Sequence, residues 1–223
     1  MVQPLAVAFD CDGVLADNGS SWQAIHDAFE TENKQMLAKF IAREIDDDEF
    51  MADDVAKWME AKGRIHKDDI ARCYAGIRLM SGAREVVGRL QERGMMVAIV
   101  SSGVDVFVGM IAAMLKVDDW VANGFDWDKD GWMNGPAPSR VLSFEKGIMV
   151  EKLRRINDLS PDQIVSVGDS GSDLSMMIQG SSFIGFNPAG TWSVDAFEEA
   201  GVPIVKSRDL RDIWPILMDG EEF

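Results

Sequence analysis

Only two cysteines, two histidines and one tyrosine occur among the 223 residues. Cys11 and Cys73 are too few for a disulfide framework and lack metal-ligand spacing. His26 and His66 have no partner pattern, so a surface or satisfied core position is the simpler reading for each, and the chain offers little to a zinc ion. Long apolar runs are also missing. The run Leu5–Phe9 is broken by Asp10, too early for a signal peptide, and nothing approaches the roughly 18 apolar residues of a membrane span. A reduced, cytoplasmic protein is the expectation. Positive charge is scarce as well: 22 basic against 38 acidic residues give a net charge of −16. Such a surface repels nucleic acid and anionic membranes. An anionic ligand must then be held by local positive sources, namely a cation, a lysine or helix N-termini. The acidity itself reads as a device for solubility.

What is present is organised in two textures. Leu5–Phe9 reads as a buried strand. From Ser20 to Ile77 the apolar spacing is helical: Trp22, Ile25 and Phe29, then Met36, Leu37, Phe40 and Ile41, then Phe50, Met51, Val55, Trp58 and Met59, then Ile70, Cys73, Tyr74 and Ile77. Ser20 or Ser21 can cap the first of these helices. After Ser81 helices alternate with short apolar strands, at Met95–Val100, Gln163–Val167, Phe183–Phe186 and Pro203–Val205. A hairpin is expected over Trp120–Trp132, around Asp128-Lys129-Asp130-Gly131. The alternation implies an α/β fold, a Rossmann-like, doubly wound and mostly parallel sheet with helices on both faces. The expected division is a discontinuous core, residues 1–16 and 80–223, with a small helical unit at 17–79 inserted after the first strand.

Three strands end in polar clusters: Phe9 into Asp10-Cys11-Asp12, Val100 into Ser101-Ser102-Gly103, and Val167 into Gly168-Asp169, with Asp173 close behind. In such sheets the binding crevice lies beyond the carboxyl ends of the strands. Carboxylates converging there are costly unless some are protonated or a cation sits among them. Hard oxygen donors suit Mg²⁺. One aspartate can attack phosphorus, and the other can protonate the leaving oxygen and later deprotonate water. Ser101 and backbone N–H groups can hold phosphate, and Lys146 can supply positive charge. Each residue also has a plainer reading. Asp10 and Asp12 can be turn residues, Ser101, Ser102 and Asp173 helix caps, and Lys146 a surface lysine. Trp22, Trp58 and Tyr74 fit a core better than a pocket, and Cys11, pointing opposite to its neighbours, fits a buried inert thiol.

Four stretches in order, DCDGVLAD at 10–17, VSSG at 100–103, Lys146 in FEKG and GDSGSD at 168–173, resemble the haloacid dehalogenase superfamily. The wording of SSGVDVFV, KGIMVEKL and SRDL is similar to its phosphoserine-phosphatase-like branch. The resemblance implies a phosphomonoester phosphatase working through an aspartyl-phosphate. Asp10 would be the nucleophile and Asp12 the general acid/base. Mg²⁺ would be held by Asp10, the Asp12 backbone carbonyl and Asp169, with Asp173 outside them or a ligand through water. Ser101, the Ser102 N–H and Lys146 would bind phosphate, and residues 17–79 would form a cap. The partner would be a small phosphate ester, and the chain a monomer or homodimer. Phosphoserine is the leading substrate. The sequence departs from the branch where it grips that substrate: Gly19 stands nearest the cap-entry glutamate, Lys57 near the cap arginine, and Ser172 where asparagine is usual. Another small phosphomonoester therefore stays open. So do a phosphotransferase or mutase of the same superfamily and a non-enzymatic, receiver-like phosphoacceptor, although the latter lacks the second aspartate and is usually shorter.

Overall fold

A computed structural model describes residues 4–223. The first strand, β1 (Ala6–Phe9), is followed by four helices, α1 (Ser21–Phe29), α2 (Lys34–Ile41), α3 (Asp47–Lys62) and α4 (Lys67–Cys73). Then come α5 (Ala83–Glu92), β2 (Met96–Val104), α6 (Asp105–Leu115) and β3 (Asp119–Asn123). A hairpin of β4 (Phe125–Trp127) and β5 (Met133–Pro136) leads to α7 (Gly147–Ile156) and β6 (Ile164–Gly168). The chain ends with β7 (Ser182–Phe186), α8 (Thr191–Glu199), β8 (Ile204–Val205) and α9 (Trp214–Leu217).

Six strands pair in the order β3-β2-β1-β6-β7-β8, every pair parallel. The winding runs from β1 outward through β2 and β3, then resumes on the other side of β1 with β6. That reversal makes the carboxyl edge beside β1 the place where a ligand crevice opens. The period of two along β1 is visible in its packing. Val7 and Phe9 join the larger apolar cluster on one face, and Ala6 and Ala8 join the smaller cluster on the other. Both faces are covered, as a parallel sheet requires.

Two readings of the sequence change. The segment expected as one hairpin over Trp120–Trp132 is divided: Asp119–Asn123 pairs with β2 inside the main sheet, and only Phe125–Pro136 forms the hairpin. Val121 and Ala122 are sheet residues with apolar neighbours on both faces, whereas Asp128 closes the turn by accepting the N–H groups of Asp130 and Trp132, each at 2.9 Å. The strand read as ending at Val100 continues to Val104, through the serines.

The helices α1–α4 leave and return through one narrow neck. Asp17 N–H donates to the Arg78 carbonyl at 2.8 Å, and Met80 N–H donates to the Leu15 carbonyl at 2.9 Å. Inside the neck, Ile25, Val55, Trp58 and Ile70 belong to the same continuous apolar core as Val7 and Phe9. Trp58 Nε1 donates to His26 Nδ1 at 3.2 Å, and His26 Nε2 lies 3.0 Å from Asp54, so this histidine is a buried core residue. The hairpin seals against the same helices, with Met133 N–H donating to the Ile65 carbonyl at 2.9 Å and Trp132 edge-on to His66. By contrast, α2 buries none of its residues, and Leu37 and Ile41 are 38% and 55% exposed.

Candidate active site

Strand register builds the site. Phe9 on β1 lies opposite Ile99 on β2 and Val167 on β6. Asp10, Ser101 and Asp169 therefore emerge from three adjacent strands at one edge of the sheet. The Asp10 N–H donates to the Val167 carbonyl at 2.9 Å, which fixes the first aspartate at the point where the strand runs out. Lys146 precedes α7 and projects into the same place. Its Nζ donates to Asp10 Oδ1 at 2.9 Å and to Asp173 Oδ1 at 2.6 Å, and the residue is only 2% exposed. Asp173 lies in the 3₁₀ turn Gly171–Met176. Its Oδ2 accepts the N–H groups of Asp169 and Ser170 at 3.1 and 3.0 Å, so one carboxylate orders both the lysine and the loop.

One carboxylate oxygen from each of Asp10, Asp169 and Asp173 falls within 4.8 Å of the others, and all three residues are buried. Burial raises the Asp10 carboxyl to about 6; Lys146 pulls it down, while Asp173 and Asp12 push it up. Asp169 is pushed well above the usual carboxylate range, first by burial and then by Asp173 and Asp10. Burial opposes the charge on Lys146, but Asp10 and Asp173 outweigh it and hold the ammonium firmly protonated. Three ionised carboxylates against one ammonium leave two negative charges uncompensated in a buried site. The donors are all hard oxygens, so the arrangement fits a divalent cation such as Mg²⁺ in charge and in ligand chemistry.

Asp12 stands apart from this cluster. Its Oδ2 accepts from Ser21 Oγ at 2.7 Å and its Oδ1 from Asn18 Nδ2. Burial nevertheless raises the Asp12 carboxyl, against the pull of those two donors. Ser21 Oγ also accepts the Val104 N–H at 3.0 Å, which ties the start of α1 to the end of β2. Ser101 Oγ accepts the Gly103 N–H at 3.1 Å. A Cβ at Gly103 would stand 2.5 Å from Asp12 Oδ2 and 2.6 Å from Ser21 Oγ, so only glycine lets this strand pass the carboxylate. Gly13 has φ +74°, and a Cβ there would lie 2.3 Å from Asp169 Oδ2. The turn after Asp12 thus packs directly on the third carboxylate.

All seven residues picked from the sequence gather at this edge. Asp10, Asp169, Asp173 and Lys146 form one bonded cluster, and Ser101 lies buried beside it. Ser102 is anchored through its backbone, its carbonyl accepting Trp22 Nε1 at 3.0 Å. Cys11 is buried in the core, turned from the carboxylates. Three supporting residues escaped the sequence reading: Asn18 and Ser21, which hold Asp12, and Asn187, whose Nδ2 donates to the Gly13 carbonyl at 3.0 Å. The Ser20-Ser21 pair was the one available signal. Ser20 takes the cap, accepting Gln23 N–H at 3.3 Å, which frees Ser21 for the carboxylate. Trp58 and Tyr74 are buried in the core as expected, and Trp22 packs against that core half-buried while also lining a cavity next to Ser102.

The family model for haloacid dehalogenase-like hydrolases matches residues 7–177. The chain belongs to that family. Among curated proteins, this haloacid dehalogenase-like hydrolase is 33% identical over 119 residues to the phosphoserine phosphatase of Archaeoglobus fulgidus, covering 53% of this chain and 34% of that protein. It is 31% identical over 147 residues to the phosphoserine phosphatase of Methanocaldococcus jannaschii, covering 66% of this chain and 67% of that protein. The matched region thus spans about a third of the first relative's length and about two thirds of the second's. A solved structure of a phospho-aspartyl intermediate analogue of phosphoserine phosphatase superposes with a TM-score of 0.79 at 25% identity, over 96% of this chain and 99% of that one. Among the described residues no helix is long and apolar enough to cross a membrane.

Proposed function

We propose that this hydrolase is a Mg²⁺-dependent phosphatase of small phosphomonoesters, with Asp10 as nucleophile. The observation that carries the reading is the cluster of Asp10, Asp169 and Asp173 around a shared point, braced by Lys146 at 2.9 and 2.6 Å. Asp10 and Asp169, with the Asp12 carbonyl, would hold the cation, and Asp173 would bear on it directly or through water. When bound, Mg²⁺ offsets the negative charge of the carboxylates and of the phosphoryl oxygens.

The chain's own groups do the rest. An Asp10 oxygen attacks phosphorus, the ester P–O bond breaks, and Asp12 delivers its proton to the departing alkoxide. Burial favours the protonated form of Asp12 that this step requires. Asp12 then takes a proton from water, whose oxygen attacks phosphorus and releases inorganic phosphate and free Asp10. Lys146 and the Ser101 hydroxyl bind phosphoryl oxygens, with the Ser102 N–H beside them. Residues 17–79 act as a cap that excludes water, hinged at the neck between Leu15–Asp17 and Arg78–Met80. Asp12, held within the site by Ser21 and Asn18, favours turnover over a stable phosphoacceptor.

The test is phosphate release from a panel of phosphomonoesters, phosphoserine first since the relatives carry its name, with Mg²⁺ and with chelator. Metal-dependent release lost in Asp10→Asn is expected. Undiminished release in that variant would remove the assignment.

A further inference from the structure

A cavity of about 220 Å³ opens beside Ser102, between the strand tips and helices α1–α3. Ser102, whose N–H would lie beside the phosphate, is the site residue on its wall, so the cavity's role as the space for the alcohol portion of an ester rests on the phosphatase reading. Its walls include the rings of Trp22, Phe40 and Phe50 and the side chain of Met51. These rings are fixed in place: Trp22 stacks on Trp58 at 5.8 Å, and Phe40 stacks on Phe50 at 4.7 Å with the planes 7° apart.

The polar groups on the walls are mostly engaged within the protein. Asn33 Nδ2 donates to Asp54 at 2.9 Å. Asn123 accepts Arg140 and Val141 N–H groups at 2.8 and 2.9 Å and donates to the Val141 carbonyl at 2.8 Å. No lysine or arginine lines the cavity, and Asp47 is the one ionisable side chain among the lining residues. Its Oδ1 accepts the Ser143 N–H at 3.1 Å and the Ser143 hydroxyl at 2.6 Å, and Oδ2 takes no hydrogen bond among the described residues. Burial raises the Asp47 carboxyl, Ser143 opposes the rise, and Asp46 and Asp48 add to it.

Two cations of the helical segment are committed elsewhere. Lys57 is ion-paired with Asp53 at 2.6 Å and does not line the cavity. Arg43 lies over the Phe144 ring, 4.3 Å from its centroid, and does not line it either. A substrate carboxylate entering this space would meet Asp47 and no countercharge, with its desolvation cost not offset. An ammonium would meet a carboxylate oxygen and aromatic faces, the combination that suits a cation.

We propose that the cavity selects monoesters of amino alcohols, bearing an ammonium group and no carboxylate, with Asp47 as counter-ion and Trp22, Phe40 and Phe50 as walls. The test compares kcat/KM of the full chain with Mg²⁺ for three esters: O-phosphoethanolamine, n-propyl phosphate, its near-isostere without charge, and O-phospho-L-serine, which adds the carboxylate. O-phosphoethanolamine is expected to exceed n-propyl phosphate by about tenfold and O-phosphoserine by more. In Asp47→Asn, which keeps an oxygen for Ser143, the ratio of O-phosphoethanolamine to n-propyl phosphate should fall toward one. O-phosphoserine turned over as well as O-phosphoethanolamine, or a ratio unmoved by Asp47→Asn, overturns the inference and leaves the phosphatase standing. No release from any of the three also overturns the inference, and the phosphatase reading falls with it only if the wider panel of phosphomonoesters stays intact.

Discussion

The two sides of the site are built from different materials. On the strand-tip side, Asp10, Asp169, Asp173 and Lys146 are ionisable, buried and bonded to one another. On the helical side, the cavity beside Ser102 is walled by rings, holds a single ionisable group and is bordered by α2, which buries nothing. The strand tips are placed by the register of parallel β1, β2 and β6, so moving one carboxylate means moving a strand. The cavity wall is placed by side-chain packing between short helices and can change one residue at a time. A reaction can therefore persist on such a frame while the alcohol it accepts changes.

Substitutions on the charged side should have the largest effects. Asp10→Asn should lower phosphate release by about 10⁴-fold or more, because no other group replaces the nucleophile. Asp12→Asn should cost about 10²- to 10⁴-fold, since proton delivery and water activation both fail. The readout for each is steady-state phosphate release with Mg²⁺. Lys146→Ala removes the ammonium that two buried carboxylates share. A loss of about 3–5 kcal/mol in denaturant unfolding is expected without Mg²⁺, and a smaller loss with it. Equal losses in both conditions would argue that the cation binds elsewhere.

A pH series sharpens the same contrast. The Asp10 carboxyl lies near 6 in the fold, against an unfolded value of 3.8, with burial the main cause. Between those values the folded state holds a proton that the unfolded state has released. Stability of the metal-free protein should therefore fall as pH rises from about 4 to about 6, and Asp169 acts in the same direction. Mg²⁺ should flatten that slope; thermal melts at several pH values with and without chelator measure it. The smallest effect belongs to the helical side. Lys57→Ala removes a half-exposed i,i+4 pair with Asp53 and should cost about 0.3–0.5 kcal/mol, with the order of ester preference unchanged.

Legibility in the sequence follows the same division. An apolar run ending in Asp10, another in Ser101 and a third before Asp169 already implied a shared edge, because strand ends of a parallel sheet meet there. Lys146 was legible through its place in the ordered motif set. Asn18 and Ser21 were not, since their function depends on how α1 enters against β2 rather than on spacing along the chain. The division of Trp120–Trp132 was hidden because the apolar runs on either side of Gly124 have similar strand character, and only pairing with β2 separates them. The cavity was invisible for a related reason. Phe40, Phe50 and Trp22 each occur at helical spacing that suits a core, and only their relative placement leaves space between them.

Covalent capture of the phosphoryl group at the first strand tip is the step on which the rest of the chemistry depends. Mixing the protein with excess ester and Mg²⁺, quenching in acid and mapping peptides by mass should show one phosphoryl group on the peptide containing Asp10, located at Asp10 by fragmentation and released by hydroxylamine. Steady turnover with no phosphoryl group on that peptide, or with one on another residue, would contradict it.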